Sequence, residues 1–375
     1  MTHPLRTALV IGGGFSGMSA AIELRKLGVE VDLIEIDPGW RSYGAGITIS
    51  GPSLRALRAV GVLPGFLAEG AVADGCDLFT AEGRHMATLP TPRAAGPDVP
   101  GSGGILRPVL AKILADATRA AGATVRLGCA FTALAQHDDH VEVAFDDATR
   151  KRYDLVIGAD GLFSKTRATL FPDAPGPRYT GQGVWRALIP RGEVERAAMF
   201  MGQHAKAGVN PVSKDLMYLF VTEDRPTHSH VSDDELLPQL QALLVEFSAP
   251  LMRRVRESLG PASSIVYRPL EALLLQRPWF AGRVLLIGDA VHATTPHLAS
   301  GAGIGIEDAL VLAEELARAG RVGEALERFQ TRRWERCRTV VENSLRLGEL
   351  EHSGGSKEEH AQLMRASMLA LAAPI

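Results

Sequence analysis

The run Gly12-Gly13-Gly14-Phe15-Ser16-Gly17 limits what this 375-residue chain can fold into more than any other feature. A glycine turn of this spacing needs a strand before it and a helix after it, and the flanking residues supply both. Thr7 to Ile11 is an apolar run of strand length, and Ser19 to Leu27 has helical spacing that Gly28 ends as a C-terminal glycine does. Val29 to Ile34 reads as a second strand, with Glu35 following it. In such a unit Gly12 permits the tight turn, Gly14 lets backbone approach a pyrophosphate, and Gly17 lets helix and strand pack closely. The helix N-terminus, with Phe15 and Ser16 in the turn, then favours the phosphate charge. Glu35 is placed to accept hydrogen bonds from adenosine ribose hydroxyls. The unit predicts a bound dinucleotide and by itself leaves FAD and NAD both open.

Further along, the pattern predicts a helix over Pro52 to Val60 and a hairpin from Cys76 to Leu89 turning at Glu82-Gly83. A Pro/Gly-rich loop follows over 90–104, then a helix from Arg107 to Ala121. Tyr153 to Ile157 reads as an apolar strand ending in Gly158-Ala159-Asp160-Gly161. From Gly183 to Val266 the pattern shifts to strands with one long helix, Asp233 to Phe247. Arg283 to Ile287 returns to a buried strand, and the helix Gly301 to Arg318 and two more helices close the chain. Nucleotide-fold segments thus stand at both ends. The expected fold is α/β: a Rossmann-like βαβ domain (1–72, 103–182, 266–375) with an inserted, mainly β-sheet substrate domain (73–102, 183–265) and C-terminal helices.

The segment Val284-Leu285-Leu286-Ile287-Gly288-Asp289-Ala290-Val291-His292, followed by Pro296 and Gly301-Ala302-Gly303, separates the cofactors. A buried strand delivers Asp289 to its C-terminal end, where a carboxylate can bond a ribityl hydroxyl. Pro296 stiffens the loop, the glycines let backbone approach a flat ring, and the helix beginning near Gly303 aims its amides at a pyrimidine edge. A plain NAD dehydrogenase has no use for this element, so FAD is expected.

At this point the chain resembles the para-hydroxybenzoate hydroxylase family of single-component aromatic hydroxylases. Three motifs carry the likeness: the glycine turn with Glu35; Asp154-Leu155-Val156-Ile157-Gly158-Ala159-Asp160-Gly161 with Ser164 and Arg167; and the Gly288-Asp289 segment. Ala293-Thr294-Thr295-Pro296-His297 with Glu307-Asp308-Ala309 is most similar to the salicylate hydroxylase branch. Arg41-Ser42-Tyr43-Gly44-Ala45-Gly46-Ile47 resembles the segment beside the flavin, and Arg107 matches the arginine that contacts the FAD pyrophosphate in relatives. Ala299 stands where relatives usually carry glycine, and Ser300 where many carry glutamine.

The resemblance implies an FAD-dependent monooxygenase that uses NADH or NADPH and O2 to hydroxylate a small aromatic compound through a flavin C4a-hydroperoxide. It implies cofactor contacts at Gly12, Gly14, Phe15, Ser16, Gly17, Glu35, Arg41, Arg107, Asp160, Asp289, Pro296, Gly301, Ala302 and Gly303. The substrate pocket is expected against the sheet over about 183–225, with Trp185, Arg186, Lys206, Tyr218, Phe220 and Pro296 as candidates and no assured catalytic residue. Two alternatives stay open: an FAD-dependent oxidase or dehydrogenase without oxygen insertion, and a non-catalytic binding protein on the same fold.

A net charge of -3 and the lack of any dense basic run argue against nucleic acid. No stretch approaches the roughly 18 to 20 apolar residues of a membrane span. Cys76, Cys129 and Cys337 are far apart and form no Cys-x-x-Cys pair, which argues against a disulfide framework or zinc site and suits a reducing cytoplasm. No metal is expected, His292 reads as structural, and a monomer or homodimer is anticipated.

Overall fold

The protein is described here from a computed structural model covering residues 5–42, 44–352 and 355–375. Five parallel strands form its nucleotide-fold sheet, in the spatial order Thr124–Leu127, Glu30–Glu35, Thr7–Ile11, Leu155–Gly158 and Val284–Leu286, with the antiparallel pair Phe280–Ala281 at one edge. These strands are apolar on both faces because both faces are covered. Ala8, Val10, Leu33, Ile157 and Leu285 pack toward the helices. Leu9, Ile34, Val156 and Val284 pack toward a three-stranded antiparallel sheet of Phe131–Gln136, Val141–Phe145 and Arg150–Tyr153. The helices Phe15–Lys26 and Gly301–Arg318 lie against each other although almost the whole chain separates them.

A second large sheet has seven strands in the order Ile265–Ala272, Arg178–Pro190, Leu216–Asp224, Ala205–Pro211, Ala197–Met201, Cys76–Thr80 and His85–Leu89. All neighbours are antiparallel except Ala197–Met201 and Cys76–Thr80. The helices Asp233–Leu244 and Pro250–Ser258 cover one face, where Trp185, Ala187, Ala207, Leu219 and Val221 meet Leu240, Leu244, Met252 and Val255. The expected single helix over Asp233 to Phe247 is therefore shorter, and a second helix follows with Pro250 at its start, where a missing N–H costs nothing.

Between the two large sheets lies a small one built from Gly46–Ser50, Ser102–Leu106 and Ala71–Ala73. It corrects the expected loop over 90–104, whose last residues enter a strand. The signal was short: the strand Ser102–Leu106 has only five residues and opens Ser-Gly-Gly, with Ile105 and Leu106 alone apolar. Helix Val322–His352 and helix Lys357–Ala372 pack together and close the chain. Among the described residues no helix is long and apolar enough to cross a membrane.

Candidate active site

The C-terminal ends of four adjacent parallel strands carry the motif loops, so Glu35, Gly12, Asp160 and Asp289 stand along one edge of the sheet. That edge is where open α/β sheets take ligands. Gly12 has φ +106°, and a Cβ there would lie 2.4 Å from the Ala159 carbonyl oxygen. A Cβ at Gly17 would lie 2.0 Å from the Gly12 oxygen, whereas one at Gly14 would meet nothing within 4 Å. The turn is thus closed where helix and strand touch and open where a phosphate must approach. Glu35 holds it in shape: its Oε2 accepts from the Gly13 N–H at 2.7 Å and its Oε1 from the Asp37 N–H at 2.9 Å. The carboxylate keeps further lone pairs beyond these two bonds.

Ser16 joins the first motif to the last. Its hydroxyl lies 2.4 Å from where a Cβ would stand at Gly288 and 2.2 Å from one at Gly305. Both positions must lack a side chain for the two ends of the chain to meet. Asp289 follows Gly288 and is open to the cleft while walled in by protein, so burial raises its carboxyl pKa against the pull of His292 and Arg107. It makes no hydrogen bond among the described residues. Arg107 sits over the Phe15 ring at 5.0 Å from the ring centre and donates one long hydrogen bond, 3.3 Å, to the Ser42 hydroxyl. Helix Gly301–Arg318 begins with no side-chain cap, since the Ser300 hydroxyl donates to the Leu298 carbonyl instead. Its first amides, from Gly301, Ala302 and Gly303, are left for an acceptor.

Two anticipated contacts are occupied differently. The Asp160 carboxylate accepts from Ser164 Oγ, Thr166 N and Thr166 Oγ1, at 2.5, 2.8 and 2.9 Å, and so closes its own turn. Arg167 pins that turn to the last motif by donating to the carbonyls of Leu162 and Ala290. Arg41 is exposed and forked onto Asp37 at 2.9 and 3.1 Å rather than turned toward the cleft. Tyr43, in the same segment, lies outside the described residues.

The second wall is the uncovered face of the seven-stranded sheet. Strand alternation puts Arg186 and Leu188 on it, and Trp185 on the opposite face. Trp185 is fully buried among the covering helices and donates to Glu223 at 2.8 Å, which removes it from the pocket candidates. Tyr218 is buried against Gly46, and its hydroxyl is 2.6 Å from Thr48 Oγ1, which also accepts from Asn210 Nδ2 at 3.0 Å. Tyr218 thereby braces the sheet against the small sheet. Phe220 lies over Gly208, where a Cβ would come within 2.2 Å of its ring. Lys206 is bound to Glu351 at 2.6 and 2.8 Å. Arg186 has no hydrogen bond or ion pair among the described residues; burial works against its charged form, Tyr218 favours it, and Arg107 and Arg268 add repulsion. Thr48 and Asn210 belong to this wall and were missed, because nothing local marks a polar residue that pairs across 162 positions.

The sequence profile of the FAD binding domain family matches residues 6–344. The chain belongs to this family. It is 30% identical over 373 residues to 3-amino-4-hydroxybenzoate 2-monooxygenase of Streptomyces cremeus, covering 96% of this chain and 91% of the relative. It is 29% identical over 351 residues to aurachin C monooxygenase/isomerase of Stigmatella aurantiaca, covering 92% and 89%. The Klebsiella pneumoniae HpxO structure complexed with FAD and uric acid shares the fold, with a TM-score of 0.80 at 24% identity over 98% of this chain and 92% of that one. The residues of the cleft fit the family's cofactor. The open backbone at Gly14, the unpartnered Asp289 carboxylate, the lightly held Arg107 and the uncapped helix start offer the donors and acceptors that a pyrophosphate, a ribityl chain and a pyrimidine edge require.

Beneath the last motif of this flavoprotein lies a charge network that sequence spacing did not reveal. Asp308 Oδ2 accepts from the Gly288 N–H at 2.9 Å and is 2.7 Å from His292 Nε2, while Arg333 Nε donates to Oδ1 at 2.8 Å. All three side chains are fully buried. His292, Asp308 and Cys337 bring possible metal-ligating atoms within 4.8 Å of one another. The Arg333 guanidinium on the same carboxylate opposes a further cation, so the group reads as an ion network that anchors the Gly288-Asp289 turn. His292 is part of that anchor, in keeping with its structural reading.

The loop above carries the departure noted in the sequence. Ala299 adopts φ 47° and ψ 35°, the left-handed region that explains a glycine in relatives. Ala299→Gly is expected to raise stability by about 0.5–1 kcal/mol, or to leave it level once the added freedom of the unfolded chain is counted. Chemical denaturation of the two proteins measures this, and a clear loss of stability would contradict the strain.

Proposed function

We propose that this FAD-dependent monooxygenase hydroxylates a small aromatic acid, with NADH or NADPH as reductant and O2 as oxygen source. FAD, when bound, supplies the redox chemistry, and the chain's own residues bind and orient the ring and keep water out. The observation that carries the substrate class is Arg186. It is a guanidinium without a counter-ion among the described residues, on the wall facing the cleft, flanked by Leu188, Phe220 and the brace of Tyr218 and Thr48. A carboxylate on an aromatic ring supplies both the charge and the flat apolar body such a wall accepts. The carboxylate named in the Streptomyces cremeus relative supports the reading. Three cysteines without a disulfide suit a cytoplasmic setting.

The test is a panel of hydroxybenzoates, salicylates and hydroxypyridines, scored by substrate-stimulated NAD(P)H oxidation and by incorporation of label from dioxygen. Incorporation is expected with an aromatic acid. Stimulated oxidation without incorporation would instead indicate an oxidase or dehydrogenase. Arg186→Met should weaken binding of the preferred acid roughly 10- to 150-fold, the range for a charge-assisted hydrogen bond, with flavin content retained. Unchanged affinity would remove Arg186 from the pocket.

A further inference from the structure

A second cation stands on the same wall, and it is silenced. Ala205, Ala207 and Val209 face the covering helices, so Lys206 points to the cleft side of its strand. Its ammonium is held by Glu351, which reaches in from the end of the long helix Val322–His352. Both side chains are nearly buried, at 14% and 10% exposure. Glu351 is the hub of a cluster: His297 Nε2, in the turn that follows Pro296, lies 3.4 Å from one carboxylate oxygen, and His360 Nε2, on the last helix, lies 3.1 Å from the other. His297 is steadied from its other side by Thr295 Oγ1 at 2.9 Å from Nδ1. Burial would raise the Glu351 carboxyl, but the Lys206 ammonium and the two neighbouring histidines outweigh it and hold the group well below the usual range. His297 is itself shifted down by burial, which leaves it neutral.

We propose that Glu351 is a specificity-determining counter-ion, which cancels Lys206 and leaves Arg186 to set the charge of the pocket wall. The inference rests on the reading of that wall as the substrate pocket. A wall with Arg186 and a free Lys206 would select a dianion. A wall with Arg186 alone selects a single negative charge, and one with Glu351 unmasked would repel anions. A salt bridge serving only to hold the C-terminal helices would influence stability without discriminating among ligands by charge.

The experiment uses the full-length, FAD-loaded protein and three probes that share one benzene ring: benzamide, benzoate and phthalate, neutral, singly and doubly charged. The size of the second carboxylate cancels when each variant is compared with the wild type. Dissociation constants come from perturbation of the flavin absorbance. The wild type is expected to prefer benzoate to benzamide and to gain little from phthalate. Glu351→Gln should improve phthalate over benzoate roughly tenfold, and Lys206→Met should erode benzoate over benzamide by a similar factor, the order that one unit charge exerts in a partly desolvated site. The double variant, which removes both charges, should return the ratios to those of the wild type, and if one single variant fails to fold the shift in the other carries the test. Ratios that stay within twofold across all folded variants would overturn the inference while leaving the aromatic-acid reading intact. A wild type that prefers benzamide would instead sink that reading and the inference with it.

Discussion

Asp289→Ala is expected to purify with much less flavin, its FAD affinity reduced roughly 10- to 150-fold, because the variant removes a carboxylate that accepts no hydrogen bond among the described residues. Its carboxyl pKa is raised by burial, which marks an anion held in place at a cost in the empty protein. A charge-assisted hydrogen bond to a ribityl hydroxyl recovers that cost, at about 1.5–3 kcal/mol per bond. The sign of the stability change makes the prediction specific. A raised carboxyl pKa means that the ionised form disfavours the fold, so the apo-variant should be at least as stable as the apo-parent at neutral pH. Flavin occupancy after reconstitution and denaturant midpoints without flavin measure the two halves. Normal flavin content, or a sharply destabilised apo-protein, would show Asp289 to be structural.

The second large effect is on stability itself. Arg333→Met should cost about 3–5 kcal/mol, the range for removing one partner of a buried ion network. The guanidinium is 1% exposed and donates to Asp308, to Glu307 Oε2 at 3.0 Å and to the Ile304 carbonyl at 3.0 Å. Without it Asp308 keeps His292, the Gly288 amide and a long contact from Cys337 Sγ at 4.0 Å, while Glu307 keeps Arg336. Burial would raise the Asp308 carboxyl pKa, but His292 and Arg333 outweigh it, so the folded value lies below the unfolded one. The contribution of this aspartate is therefore complete above the ordinary aspartate range and is lost as pH falls beneath it. Urea denaturation at neutral pH tests the magnitude, and a change under about 1 kcal/mol would mean that the site relaxes to let water in. Because Asp308 fixes the Gly288 amide, weaker flavin binding should accompany the loss.

Most of the flavin side was legible in the sequence because it is written in backbone requirements. Gly12, Gly17, Gly288 and Gly303 stand where a side chain would strike neighbouring atoms, and glycine announces such places at any level of similarity. The substrate wall was less legible. Gly183 to Pro190 alternates in a way that fixes which residues share a face but not which face meets the cleft. The helices over Asp233–Leu244 and Pro250–Ser258 decide that phase by covering the Trp185 side, and their docking is tertiary. Lys206 read only as a pocket candidate for the same reason, since its partner is 145 residues away. The Arg41 pairing was not legible either, although Asp37, four residues earlier in the same turn, is its partner in the structure.

The nesting of the Ser16 hydroxyl between Gly288 and Gly305 has a consequence for how the protein matures. The amino-terminal βαβ unit is made first, yet the cleft has no floor until the last third of the chain has been made and has docked. Yellow colour in a refolding or co-translational experiment therefore works as a completion signal for the polypeptide, and a chain cut short before residue 288 should accumulate as a pale intermediate however well its first half is folded.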